Sequence, residues 1–126
     1  MTAAPQDRAV GVDIGGTNCK IALVDGRGWP STHRGFAVDQ AAGIGRFMEM
    51  LSASIDELDA GPVSGIGVLL PGYLNPERTV PRIMVNIPML EGAPLHRTLR
   101  ERHGMPVSLD IDRNGPARAE HLFHYP

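Results

Sequence analysis

The feature that most constrains this chain is a pair of adjacent glycines set between two apolar runs, in the segment Val10-Gly-Val-Asp-Ile-Gly-Gly-Thr-Asn-Cys-Lys20. Residues 9–14 carry Val10, Val12 and Ile14 at every second position, and residues 19–25 carry Cys19, Ile21 and Leu23 in the same way. A period of two is the mark of a half-buried strand. Gly15-Gly16-Thr17 is too short to be anything but a tight turn, so the segment reads as a β-hairpin with Asp13 near the end of its first strand. Such a turn brings backbone N–H groups close to an anion. Thr17 adds a hydroxyl, Lys20 a positive charge, and Asp13 a carboxylate suited to hydrated Mg²⁺. The chemistry expected of it is the binding of a nucleoside triphosphate. The simpler alternative is a hairpin with no ligand, since Gly-Gly turns are common between strands. The segment fits neither GxxxxGK[ST] nor GxGxxG, and no helix follows the glycines, so the anion would be held by hairpin amides rather than a helix N-terminus.

Beyond the hairpin, residues 29–38 read as a third strand with a weak apolar pattern, entered through the turn Asp25-Gly26-Arg27-Gly28. Residues 40–60 place Ile44, Phe47, Met48, Leu51, Ile55 and Leu58 at helical spacing, with Asp39 as N-cap and Gly61-Pro62 as the stop. Residues 64–70 form a nearly continuous apolar run, as expected of a buried central strand, ended by Pro71-Gly72. Residues 73–89 read as a loop or irregular hairpin. Residues 94–103 read as a short helix with Pro94 in its first turn, and 107–111 as a strand. Residues 117–123 read as a last helix. The order β-β-β-α-β-α-β-α predicts an α/β fold, a mixed sheet with helices packed on its faces. Residues 1–8 are a flexible lead-in, and 9–126 are one domain.

In open α/β sheets, ligands collect at the carboxyl ends of strands. Three segments end strands there: Asp13-Ile-Gly-Gly, Pro71-Gly72 and Asp112-Arg-Asn. Asp112 is a candidate general base toward a hydroxyl that attacks a bound triphosphate. It could equally be an exposed strand-end residue or the N-cap of the last helix. Asp110 alternates with it and could be mistaken for it. Asn86, in Val-Asn-Ile-Pro, can donate to a polyol hydroxyl.

Composition excludes several classes. The net charge of −2 gives no footprint for nucleic acid, and Lys20 is the sole lysine. Cys19 is the sole cysteine, which excludes an internal disulfide and a cysteine-based metal cluster. Its place on the apolar face of its strand makes it a core filler rather than a nucleophile. His121 and His124 stand three apart but have no third ligand nearby, so a solvated helix end is expected rather than a metal site. With no membrane-length apolar run and no signal-peptide core, a reduced, cytoplasmic location is expected and no membrane partner.

These segments, in this order, resemble the ROK family of sugar kinases and related repressors, over nearly the whole chain. Val12-Asp-Ile-Gly-Gly-Thr17 is similar to the family's first phosphate motif, which is shared across the wider actin-like ATPases. Gly65-Ile-Gly-Val-Leu-Leu-Pro-Gly72 is similar to its G-I-G-x-P-G strand. Asn86, Pro88 and Gly92-Ala-Pro-Leu95 resemble the P-N-L…P-L segment that meets the sugar. Val107-Ser-Leu-Asp-Ile-Asp-Arg-Asn114, followed by residues 117–120, resembles V-x-V-D-N-D-A-N-A-A-A-L-A-E.

The resemblance implies a ribonuclease H-like, actin-like ATPase lobe and an ATP- and Mg²⁺-dependent kinase for a hexose-type sugar. Asp112 would be the catalytic base. Asp13, Gly15, Gly16 and Thr17 would belong to the ATP and Mg²⁺ site. Gly72 and Asn86 would contact the sugar. A homodimer is the family's habit.

Three positions depart from the pattern. Ile111 stands where the family has an asparagine that bonds a sugar hydroxyl, Arg113 replaces a small residue, and the aromatic expected near Leu90 is absent. The family's second lobe, with its further phosphate loop, adenosine pocket and cysteine-rich zinc motif, has no counterpart here. The chain is therefore expected to be the N-terminal lobe, with negligible turnover by itself. A sugar-responsive regulator or a degenerate binding module are the alternatives. The twelve residues before Asp13 leave no room for a basic recognition helix.

Overall fold

In a computed structural model, the chain is described over residues 8–58 and 61–111. The lead-in at residues 1–7 and everything from Asp112 onward lie outside the described residues. These include Asp112 itself, Arg113, the expected last helix, and His121 and His124.

The expected hairpin is present as β1 (Ala9–Ile14) and β2 (Asn18–Val24), paired antiparallel from Ala9↔Val24 to Ile14↔Cys19. Asp25 then nucleates the next turn, its Oδ1 accepting from the backbone N–H of Arg27 at 2.9 Å and of Trp29 at 3.0 Å. These bonds hold the exposed Asp25 carboxyl below its ordinary value. The chain returns as β3 (Pro30–Ala37), the edge strand, whose mostly exposed residues account for the weak apolar pattern.

Helix α1 spans Gly43–Glu57, shorter at its start than the sequence pattern predicted. Residues Gln40–Ala42 form a 3₁₀ turn instead. Asp39 caps that turn, accepting from Ala41 N at 3.1 Å, rather than the α-helix. Gly43, at φ 85°, breaks the two apart, and a left-handed residue there cannot continue a helix. Strand β4 (Ile66–Leu70) begins two residues later than predicted, although the approach to it already bonds alongside β1: Ser64 N–H donates to Arg8 O, and Gly65 O accepts from Val10 N–H. Residues 73–89 do contain a small irregular hairpin, β5 (Tyr73–Leu74) and β6 (Pro81–Ile83), followed by a 3₁₀ turn over Pro88–Leu90. Helix α2 (Leu95–His103) ends at Gly104 in the left-handed conformation, a C-cap of the kind glycine favours. It leads to β7 (Val107–Ile111).

The main sheet has the order β3-β2-β1-β4-β7, with the three N-terminal strands antiparallel and β1, β4 and β7 parallel. This is the mixed α/β sheet the sequence order predicted. One face carries Val10, Val12, Ile14, Cys19, Ile21, Ile66, Val68, Leu70 and Leu109. These join Phe47, Leu51 and Ile55 of α1 and Leu95 and Leu99 of α2 in one core. Each fully buried Leu or Ile there contributes about 1.5–3 kcal/mol of hydrophobic stabilisation.

Candidate functional site

The alternation that sends valine and isoleucine into the core sends other residues to the opposite face. Asp13 lies between buried Val12 and Ile14, and the register sets it across from Lys20 on β2 and Leu69 on β4. Lys20 is in turn opposite Gly35, and Leu69 opposite Asp110. One row across the sheet therefore reads Gly35, Lys20, Asp13, Leu69, Asp110. Of the predicted site residues, Asp13 and Lys20 are neighbours in it, and Lys20 is exposed.

The Gly-Gly-Thr turn is closed by Gly15 N–H donating to Asn18 O at 2.9 Å, and Thr17 O accepts from Val38 N–H at 2.8 Å. The Gly15 amide is thus spent inside the turn. Among the described residues, the Gly16 and Thr17 N–H groups have no partner. Neither glycine sits in the left-handed region. Gly16 is needed for space: a Cβ there would lie 2.5 Å from the Asn86 carbonyl oxygen and 3.1 Å from Asn86 Cβ. The predicted sugar loop thus rests directly on the predicted phosphate turn.

Asn86 is held there by its neighbours. Met84 and Ile87 are both fully buried, and Ile87 N–H donates to Met84 O at 3.2 Å. Met84 N–H donates to the Glu91 carboxylate at 2.9 Å. Asn86 projects between those anchors and is exposed. Gly72 has a similar steric origin. A Cβ there would come within 2.1 Å of Ile83 O and 2.8 Å of Met84 Sδ, so the end of β4 can pass under the small hairpin only as glycine.

Gln40 was not singled out by its sequence. Its Nε2 donates to Asn86 O at 2.9 Å and to Gly16 O at 3.5 Å. Arg78 was also missed. It is the one non-glycine residue with positive φ (58°) among the described residues, and its Nη1 donates to Asp110 Oδ1 at 3.2 Å. An Asn75 side chain that accepts from Thr79 N–H at 2.7 Å and Val80 N–H at 2.9 Å holds that loop. Asp110 Oδ1 also accepts from Ile111 N–H at 2.8 Å. Ile111 pairs with Leu70 and is buried on the core face at 9 % exposure.

Two other groupings are structural. Cys19 is fully buried, and burial first and the Asp13 charge second push its thiol far up, leaving it protonated and inert. On the helix side, His103 lies 3.3 Å from Ser52 Oγ and 3.6 Å from Asp56 Oδ1, a Ser-His-Asp order of contacts. Ser52 is only 7 % exposed and is wedged between helices, so no substrate can reach it. No group of three or more His, Cys, Asp or Glu residues among the described residues can hold a metal ion by itself.

A row of charged residues beside a glycine turn, at the C-terminal edge of β1 in a β3-β2-β1-β4-β7 sheet, defines the ribonuclease H-like, actin-like ATPase lobe. The chain belongs to the ROK family, whose profile matches residues 9–125. It is 30 % identical over 123 residues to a glucokinase of Thermotoga maritima, covering 94 % of this chain and 38 % of that one. The ROK family glucokinase of Streptomyces griseus, solved in complex with glucose and AMPPNP, superposes with a TM-score of 0.78 at 26 % identity. That match covers 94 % of this chain and 37 % of the other. A ROK hexokinase from Thermus thermophilus gives a TM-score of 0.74 at 33 % identity, over 92 % and 39 % of the two chains. In each comparison this chain spans less than two fifths of the other protein's length.

Proposed function

We propose that this chain is the N-terminal lobe, residues 9–126, of an ATP-dependent sugar kinase that transfers the γ-phosphoryl group to a hexose hydroxyl. The observation that carries this reading is the packing of the Asn86 carbonyl on Gly16, which sets a polyol-binding loop against a turn suited to phosphate. The residues present fit a magnesium nucleotide: the Gly16 and Thr17 amides are donors, Lys20 is a cation, and Asp13 is a carboxylate across from it.

In this reading Asp13, Gly16, Thr17 and Lys20 hold the phosphates and Mg²⁺, Gly15 shapes the turn that presents them, and Gly72 and Asn86 border the sugar. Asp112 accepts the proton of the attacking hydroxyl and holds the sugar. Bound Mg²⁺ supplies neutralisation of the phosphate charge. The sugar is a small-molecule partner. Nucleic acid and membrane are not partners in this reading, the location is cytoplasmic, and the assembly is a homodimer. Among the described residues no helix is long and apolar enough to cross a membrane. Closure around a dry site needs a facing lobe, so the 126-residue chain alone turns over negligibly.

The test is a hexose panel assayed for sugar-dependent ADP release and for sugar phosphate by mass, using the protein purified whole from its source cells. Phosphorylation of at least one hexose, abolished by Asp112→Asn, supports the reading. ATP turnover independent of every sugar contradicts it. Buried Ile111 favours a second reading, a sugar-responsive binding module without turnover. Saturable sugar binding with no product would select it.

A further inference from the structure

Gln40 belongs to no expected motif, yet its side chain touches both halves of the candidate cleft. The 3₁₀ turn that carries it is fixed from two sides. Asp39 caps it by accepting from Ala41 N–H at 3.1 Å, and two residues before Gln40, Val38 N–H is bonded to Thr17 O at 2.8 Å. From that anchored backbone the Gln40 amide reaches the carbonyl oxygens of Asn86, at 2.9 Å, and of Gly16, at 3.5 Å. Both partners are acceptors, so only the NH₂ end of the amide satisfies them, and its two hydrogens match two oxygens. Without this donor, the Asn86 carbonyl would face the Gly16 turn with no group between them to bridge their like partial charges.

We propose that Gln40 is a positioning residue that latches the sugar loop onto the phosphate turn, and so fixes where the sugar hydroxyl stands relative to the phosphoryl group. This rests on the sugar-kinase reading of the cleft. Gln40 contacts neither substrate: it acts through the two main-chain carbonyls, and the placement of Asn86 follows.

The isosteric variant Gln40→Glu separates this role from simple packing. It keeps shape and volume but places a carboxylate against two carbonyl oxygens. That repels them while ionised, and it can donate one hydrogen bond once protonated. Steady-state kinetics of the whole protein are compared for wild type, Gln40→Ala and Gln40→Glu between pH 5.5 and 8. Gln40→Ala should raise the sugar KM about 5-fold, the loss of one net hydrogen bond. Gln40→Glu should raise it about 50-fold or more at pH 8, with at most partial recovery at pH 5.5, where an ordinary glutamate is still mostly ionised.

Amide hydrogen exchange of the unliganded protein gives a readout free of catalysis. Residues 15–18 and 85–90 should exchange about 5-fold faster or more in Gln40→Glu at pH 8 than in wild type. If wild type phosphorylates no sugar, the functional reading fails, and faster exchange in both segments still supports the latch. If Gln40→Glu matches wild type in exchange, or its sugar KM at pH 8 is no higher than that of Gln40→Ala, the latch is overturned while the kinase reading stands.

Discussion

The two faces of one sheet obey different rules. The face toward α1 and α2 is a run of Val, Ile and Leu, with Val12, Cys19, Ile21 and Leu70 all fully buried. The opposite face carries Asp13, Lys20 and Asp110 in one row, and near its end come the two glycines that have no room for a side chain, Gly16 and Gly72. The first face stabilises the fold through burial. The second face holds polar groups at fixed separations, which a stable fold does not itself require. The same alternation of strand side chains builds both, so changes one residue apart should have opposite consequences.

The largest effect should come from Asp112→Asn in the whole protein, which should lower kcat by about 10²- to 10⁴-fold, the usual worth of a general base. The melting temperature should change little, and thermal melting beside kinetics reads both quantities. A parallel loss of stability would mean that Asp112 caps a helix rather than accepts a proton.

Leu70→Ala, on the packed face, should cost about 2–5 kcal/mol of stability by urea unfolding, because it removes a fully buried side chain between β4 and the helices. Per-molecule activity of the remaining folded protein should persist. Gly16→Ala should do the converse. Its Cβ meets the Asn86 carbonyl at 2.5 Å, a main-chain neighbour that must move. A cost of about 1–3 kcal/mol is expected, together with a larger loss of sugar affinity by calorimetry.

A pH effect is expected on the helix side. His103, with its side chain 4 % exposed, has its pKa pushed below the ordinary 6.5 by burial, partly opposed by Asp56 and reinforced by Arg102. The folded state then takes up a proton less readily than the unfolded one. The stability His103 contributes should be complete above pH 6.5, fall as the pH drops below it, and level off below the folded pKa. Chemical unfolding from pH 8 to 5 checks this, and His103→Gln should flatten that part of the curve.

The smallest effect should be that of Lys20→Ala on stability, within about 0.5 kcal/mol for an exposed strand residue. Its loss should appear instead as weaker nucleotide binding.

The sequence was most readable where one rule governed a residue. The alternation in residues 9–14 and 107–111 set strand bounds that the structure keeps, and Gly104 stops α2 because it alone accepts the left-handed turn. The start of α1 was misjudged because Gly43-Ile44-Gly45 fits helical spacing of apolar residues, while the left-handed φ of Gly43 leaves no trace in that spacing. The candidate site was legible as residue types, not as contacts. Gly16 and Gly72 were read as turn and substrate positions. Their steric partners, Asn86 and Ile83, are distant in sequence or follow an unreadable loop. Gln40 is an ordinary polar residue whose partners lie 24 and 46 residues away, so only the fold exposes its role.

The most direct test of the division between faces is amide hydrogen exchange of the whole protein with and without AMPPNP, Mg²⁺ and the sugar it phosphorylates. Protection gained at residues 15–18 and 85–90, with α1 and α2 unchanged, is the predicted result. Protection gained along α1 and α2 with none at the glycine turn would contradict the account.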